Sequence, residues 1–296
     1  MKNLVFIHGR SQQDKDSIAL KAEWIEAFAK GLGKSGLPVP IDESAIHFPY
    51  YGDTLAGLVA GKPANEIAEV IVRGENADAA EQSFQFEILR EIQKAQEEFL
   101  TDEQVAALAG AEVIQKGPLN WGWVRAILTG IDHHVPFGSS GSIALFTKDV
   151  YQYLKNPGIR DAIEAGVRQA MSSAPTVVVA HSLGTVVAYN LLRREGASKG
   201  WNVPLLVTVG CPLAVTAIRK WLAPNGHPEC VGQWFNAMDS HDIVAIAPLD
   251  EPHGWDISPA IENKTDVNNQ TSNRHGISGY LSDPVVARRI YDALVS

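Results

Sequence analysis

Short apolar runs alternate with amphipathic helical patterns over much of this chain. The runs that predict buried strands lie at residues 3–8, 45–50, 176–181, 203–210, 231–237 and 257–262. Between them, apolar residues recur at intervals of three and four, as at Ile25, Phe28 and Leu32, which is the spacing of one helix face. Strands that alternate with helices predict an α/β fold, with a mostly parallel sheet and helices on both of its faces.

The segment 54–155 interrupts this alternation, because it contains helical patterns and no convincing strand. Its predicted features are a helix over 81–100, a capping box from Thr101 to Gln104, a helix that begins at Pro118 and a helix capped by Ser142. We expect residues 1–53 and 156–296 to form the core, and residues 54–155 to form an inserted helical cap over the carboxyl edge of the sheet. Asp283 and Pro284 predict the start of a terminal helix.

The amino-acid composition and net charge argue against some classes of binding partner. Of the 296 residues, 45% are apolar and 20% are charged, as in ordinary globular proteins, and the net charge of −9 comes without a basic cluster. These values argue against nucleic acid or an anionic membrane as a partner. No apolar run is long enough to span a bilayer, and the four apolar residues after Asn3 are too few for a signal peptide. We therefore expect a cytoplasmic protein, and the sequence leaves its oligomeric state open.

The stretch Thr176 to Gly184, T-V-V-V-A-H-S-L-G, carries the strongest chemical signal in the chain. An apolar strand pattern ends at Ser182, and a helical pattern begins directly after it. A serine on such a sharp strand-to-helix turn needs small residues two positions before and after it. In this chain these residues are Ala180 and Gly184, so the context identifies Ser182 as a candidate nucleophile.

A nucleophilic serine needs a base and an acid that orients the base. In the fold of which this strand–serine–helix turn is typical, the three residues follow successive strands in the order serine, acid, histidine along the chain. His275 is the favoured base because it follows the last predicted strand and precedes the terminal helix; His253 is the alternative. Asp239 and Asp242 both follow the strand at 231–237. Asp242 is the favoured acid, since the Ile-Val-Ala turn after it would hold its carboxylate rigidly, and Asp239 is the alternative.

The oxyanion of an acyl-transfer intermediate needs two backbone N–H donors. One predicted donor is Leu183, directly after the candidate nucleophile. The other is Arg10, in the turn after the first strand, where Gly9 permits an unusual backbone angle. The candidates for the substrate pocket, next to the expected sheet edge, are Gly9, Tyr50, Tyr51, Trp121, Trp123, Phe137 and His181.

On these residues the chain resembles the α/β-hydrolase superfamily. The resemblance rests on Val5-Phe6-Ile7-His8-Gly9, on Ala180-His181-Ser182-Leu183-Gly184, on Asp242-Ile243-Val244-Ala245 and on His275 before the final helix. It covers the first and last portions of the chain and leaves the helical block unmatched. The Ala-His-Ser-x-Gly sequence is similar to that of some small bacterial lipases. The resemblance implies a serine–aspartate–histidine triad that acts on acyl substrates without a cofactor, on a sheet without the superfamily's two leading strands.

The function expected from these features is a serine hydrolase that cleaves small-molecule carboxylic esters, or the related thioesters, through an acyl-enzyme on Ser182. The alternatives are an acyltransferase with the same triad and a non-catalytic ligand-binding protein, because a fold does not determine function. No cofactor and no metal are expected, since the adjacent side chains of Asp132-His133-His134 would point apart. Cys211 and Cys230 abut apolar runs and are expected to be reduced, buried thiols.

Overall fold

The protein's structure, a computed structural model, describes residues 2–9, 17–51, 79–115 and 121–296. Its strands are β1 (Asn3–Ile7), β2 (Ile46–His47), β3 (Thr176–His181), β4 (Val203–Val209), β5 (Val231–Ala237) and β6 (Glu262–Lys264). Within the described residues these six strands form one parallel sheet in the order β2-β1-β3-β4-β5-β6. The α/β fold predicted from the alternating pattern is confirmed.

Helices connect and cover these strands. They are α1 (Ser17–Gly33), α2 (Ala79–Ala95), α3 (Asp102–Ala109), α4 (Ala111–Gln115), α5 (Trp121–His134), α6 (Ser140–Lys155), α7 (Pro157–Ala170), α8 (Leu183–Glu195), α9 (Thr216–Trp221), α10 (Ile277–Leu281) and α11 (Pro284–Val295). Across the described ranges, no helix has both the length and the apolar character that a membrane crossing requires.

The helix starts follow local capping chemistry. The capping box is confirmed, because Thr101 accepts the Gln104 N–H while the Gln104 side chain accepts the Thr101 N–H at 2.7 Å. Asp283 likewise caps α11. The prediction that Ser142 caps α6 was wrong: the cap is Ser139, whose backbone is still extended and whose hydroxyl accepts the Ser142 N–H at 3.3 Å. The predicted start at Pro118 lies outside the described residues.

The two outer strands differ from the prediction: β2 is shorter than its apolar run, and β6 begins later in the chain than its apolar run. β2 covers two residues of the expected 45–50, because Pro49 has no N–H with which to continue the ladder. β6 begins at Glu262, at the end of the expected 257–262, where Pro259 interrupts the run. Apolar character predicts the central strands well because both faces of those strands are buried. The length of an outer strand depends in addition on whether each residue has a backbone N–H, which proline does not have.

Alternate residues of the central strands point to opposite faces of the sheet. On β3, Val177 and Val179 join a hydrophobic cluster with the buried side chains of α1, α10 and α11. Val178 and Ala180 join a second cluster, with the buried side chains of α2, α3 and α5 to α9. Helices therefore cover both faces, as predicted.

The helical block predicted as a cap is described at residues 79–115 and 121–155. The buried side chains of α2, α3, α5 and α6 belong to the same hydrophobic cluster as one face of the sheet. Most of these helices therefore extend the layer on that face, and the first turns of α6 reach the carboxyl edge, beside Ser182. A cap bounded at residues 54 and 155 stays a prediction.

A buried carboxylate joins the helices of that layer. Glu164 on α7 has a fully buried side chain that accepts hydrogen bonds from Tyr153 of α6 at 2.7 Å and Arg194 of α8 at 3.0 Å. Arg168 pairs with the same carboxylate at 2.7 Å. Burial raises the pKa of Glu164, and the hydroxyl and the two guanidinium groups oppose this rise. The network fixes α6 relative to α8, the helix that follows Ser182.

Candidate active site

The turn between β3 and α8 has the geometry of a nucleophile elbow. Ser182 adopts φ 56° and ψ −128°, a strained region for a residue with a side chain. Gly184 makes the turn possible, since a Cβ atom there would lie 2.6 Å from the His8 carbonyl oxygen and would also collide with the carbonyl oxygen of Ile7. The helix therefore packs directly on the end of β1, and the strained turn presents the Ser182 hydroxyl beyond the sheet edge.

Three side chains from distant parts of the chain form a continuous hydrogen-bonded series. The Ser182 hydroxyl lies 2.9 Å from Nε2 of His275. On the other side of the ring, Nδ1 of His275 lies 2.7 Å from Oδ2 of Asp242. The structure thus brings together the serine, histidine and aspartate that the sequence analysis favoured, in the arrangement of nucleophile, base and orienting acid.

Asp242 is held by several donors. Its Oδ1 accepts the backbone N–H of Val244 at 2.9 Å, and its Oδ2 accepts the hydroxyl of Tyr280 at 2.6 Å in addition to the ring of His275. Burial by itself would raise the pKa of this carboxyl, but His275, Tyr280 and the Val244 amide outweigh burial and keep the pKa below its ordinary value. Asp242 is therefore ionised and cannot rotate freely.

The two alternatives from the sequence have other partners. Asp239 accepts the backbone N–H of Asn269 at 2.7 Å and that of His241 at 2.8 Å, so its carboxylate braces loops rather than the base. His253 pairs with Asp250 at the surface. Neither of them is brought to Ser182.

One of the two predicted oxyanion donors lies at the elbow itself. Leu183 is the first residue of α8, where intrahelical bonding leaves the backbone N–H free to serve a ligand. Gly9 lies against the nucleophile: a Cβ atom there would be 2.8 Å from Ser182 Cβ and 3.3 Å from its hydroxyl oxygen. Arg10, the other predicted donor, lies outside the described residues.

His181 connects the elbow to the loop that carries the base. Its Nε2 lies 2.7 Å from the backbone carbonyl oxygen of His275, so that nitrogen carries the proton and donates. The two rings lie 4.7 Å apart. Burial, reinforced by the neighbouring His275, lowers the pKa of His181 to about 3, so its ring is neutral at ordinary pH. Of the predicted pocket side chains, His181 lines the cavity at Ser182.

A second neutral histidine shapes the turn after β1. His8 accepts the Tyr51 backbone N–H at Nε2, 3.1 Å away, so its proton lies on Nδ1 and is donated to the Gly9 carbonyl oxygen at 2.6 Å. Burial lowers the pKa of His8 to about 4. The Tyr51 ring stacks on His8, and its hydroxyl donates to the His8 carbonyl oxygen. Tyr51 therefore supports the turn.

The cavity at Ser182 has a volume of about 380 Å³. Its lining side chains include those of Phe137, Ile143, Phe146, Ile243, Val244 and Ile277, together with Ser182 and His275. Phe137 lies there as the sequence suggested. Tyr50 lines a separate surface groove, and Trp121 and Trp123 pack against the hydrophobic cluster. Among the described residues, these three aromatics are therefore not part of the lining of this cavity, and their assignment to the substrate pocket stays a prediction.

Comparisons of the chain with models of known protein families, with curated proteins and with solved structures found no match.

Groups outside the triad have the properties of structural residues. In the part of the chain that the structure describes, no three His, Cys, Asp or Glu side chains are placed to hold a metal ion. Asp132 accepts the Ser140 N–H at 2.7 Å and so holds the start of α6. Both cysteines are free; Cys211 is buried, as expected, whereas Cys230 is only half-buried. Burial raises the pKa of these thiols to about 12 and about 11, so both are protonated.

Two groups of site residues were not assigned from the sequence. Tyr280 binds the carboxylate of Asp242, and its only sequence signal is a place five residues after His275, on the short helix α10. Ile143 and Phe146 on α6 line the cavity, and their helical spacing predicts burial without indicating what they face. Tertiary contacts alone distinguish a buried residue of the core from one that borders a cavity.

Proposed function

We propose that this protein is a serine hydrolase that cleaves carboxylic esters through an acyl-enzyme on Ser182. The observation that carries the proposal is the hydrogen-bonded series from the Ser182 hydroxyl through His275 to the buried carboxylate of Asp242. It lies beside an apolar cavity large enough for a small molecule. We also infer that the fold is of the α/β-hydrolase type. The parallel strands and the switch in strand order between β1 and β3, where sites of open α/β sheets lie, support this inference.

The geometry supports a two-step reaction. Ser182 attacks the acyl carbon as its proton passes to Nε2 of His275, and the carbonyl oxygen takes up the negative charge near the Leu183 N–H. The bond to the alcohol then breaks, and the alcohol leaves with the proton from Nε2. Water then attacks the resulting acyl-enzyme and gives its proton to Nε2 of His275. The bond between the acyl carbon and the Ser182 oxygen breaks, that oxygen takes the proton back from Nε2, and the acid is released.

The test is the Ser182→Ala variant with p-nitrophenyl butyrate as substrate. We expect kcat to fall on the order of 10⁶-fold, because the nucleophile works as a unit with its base. The matched control is Ser142→Ala, which removes another serine hydroxyl from the same cavity and should retain activity within a few fold. A fluorophosphonate should label the unaltered protein and the control but not Ser182→Ala. Equal turnover by all three proteins would refute the proposal.

A further inference from the structure

The cavity at Ser182 has a polar mouth and an apolar interior. The lining side chains at its mouth are exposed, and most of them are polar: Glu23, Phe137, Ser142, Asn273 and Ser278. The interior side chains are apolar and almost fully buried: Ile143 and Phe146 of α6, and Ile243 and Val244, directly after the triad acid. A group that enters the interior must itself be apolar, because a polar group would lose its hydration without gaining a partner.

From this gradient we infer that the interior is an acyl-binding subsite that selects esters of short and medium-length acids, with Phe146 and Ile143 setting the length. The inference rests on the proposed function. The volume of about 380 Å³ is near the lower end of small-molecule sites and must also contain the ester group. That space suits an acyl chain of about four to eight carbons rather than a long one.

The order of bond breaking favours the acyl chain over the alcohol as occupant. After the first step the acyl group is still attached to the side-chain oxygen of Ser182, a residue that is 2% exposed, so the apolar interior beside this residue is the space that suits that group. The alcohol leaves before water enters, and the polar mouth suits that exchange.

The position of α6 explains why two residues set the length. Ile143 and Phe146 are three positions apart and therefore lie on the same helix face. Farther along α6, Tyr153 is tied to Glu164 of α7 at 2.7 Å, which keeps the helix in place when a side chain in its first turns is shortened. Truncation of Phe146 should therefore enlarge the cavity.

The first experiment measures kcat/KM for p-nitrophenyl esters from acetate to myristate. For the unaltered protein we expect an optimum between butyrate and octanoate. Phe146→Ala should move this optimum to longer chains. The ratio of kcat/KM for laurate to that for hexanoate should rise on the order of tenfold relative to the unaltered protein, because one methylene group in an apolar pocket can change the preference between two substrates by at least that factor. The control, Phe84→Ala, removes a similarly buried ring that packs on Tyr151 and lies outside the lining of this cavity.

A second arm varies the alcohol at constant acyl length, using butyrate esters of alcohols from methanol to octanol. Phe146→Ala should leave this alcohol preference unchanged within about twofold; a shift in alcohol preference alone would place the alcohol in the interior and overturn the inference. Phe146→Leu, a smaller truncation, provides the same comparison if Phe146→Ala fails to fold.

Labelling with fluorophosphonates of increasing alkyl length separates this inference from the proposed function. Faster labelling by medium-length probes in the unaltered protein, and by longer probes in Phe146→Ala, would support the subsite. If Ser182 is labelled but the labelling rate depends on alkyl length in the same way in Phe146→Ala and Phe84→Ala, the subsite inference is overturned and the hydrolase proposal stays intact. If no probe of any length labels Ser182, the hydrolase proposal itself fails.

Discussion

At the scale of single residues, the two aspartates after β5 have different tasks. Asp242 contacts the ring of His275 and the hydroxyl of Tyr280 through one oxygen, and backbone amides through the other. Asp239, three positions earlier, binds only backbone amides and the surface side chain of His241 among the described residues. Both follow the same strand, so only their partners separate the candidate triad acid from a loop brace.

Substitution of asparagine for Asp242 and, separately, for Asp239 tests this difference. Asp242→Asn should lower kcat roughly 10⁴-fold, because an amide cannot hold the histidine in the tautomer that accepts the serine proton. Asp239→Asn is the matched control, and its kcat should remain within about tenfold of the unaltered value. Steady-state kinetics with p-nitrophenyl butyrate provide the measurement. Similar losses in the two variants would contradict the assignment of Asp242 as the acid.

At the scale of elements, the close contact between α8 and the end of β1 positions the elbow. Gly184 lies in the first turn of α8, where a Cβ atom would meet the backbone carbonyl oxygens of Ile7 and His8. Backbone atoms at the end of a strand paired on both sides cannot move aside as a flexible side chain can. The contact also places Gly9 against Ser182, so one packing requirement sets the position of both Ser182 and the neighbouring turn.

Gly184→Ala should therefore lower the free energy of unfolding by about 1–3 kcal/mol, as overpacking does in a rigid core. Gly166→Ala is the matched control within a helix: the nearest heavy atom to its added Cβ lies at 3.6 Å, an ordinary contact. This control should raise the free energy of unfolding by up to about 1 kcal/mol, because alanine favours a helix over glycine. Urea unfolding measures the free energy of unfolding of each variant, and equal values for the two variants would argue against the close contact.

At the scale of the whole molecule, buried neutral histidines tie stability to pH. The pKa of His8 is lowered to about 4 and that of His181 to about 3, chiefly by burial. In the unfolded chain both return to an ordinary value near 6.5, so below that pH the unfolded state binds more protons than the folded state. Stability therefore falls as the pH falls. Asp242, whose pKa is depressed, still contributes its stabilisation above about pH 4.

We expect the free energy of unfolding to decrease by about 2–2.5 kcal/mol for each pH unit between roughly pH 6 and pH 4, with the contribution of His8 becoming smaller as the pH approaches its folded pKa of about 4. Urea unfolding over a pH series measures this slope. His181→Gln should reduce the slope by about half, whereas His134→Gln, at an exposed position on α5, should leave it unchanged. A free energy of unfolding that is flat across this range would contradict the burial of uncharged rings.

The sequence by itself determined the α/β class, the central strands, several helix caps and the strand–serine–helix turn. These features depend on periodicity and on backbone chemistry within a few residues, as at Thr101 and in the run that ends at Ser182. It also limited the base and the acid to two candidates each.

Only the tertiary structure showed which of those candidates contact one another and which side chains line the cavity. Asp242 rather than Asp239, Tyr280 as a partner of the acid, and Phe146 as a cavity wall all follow from contacts between distant segments. Local patterns predict that a side chain is buried, but its neighbours depend on how elements pack, and that packing is set by the whole chain.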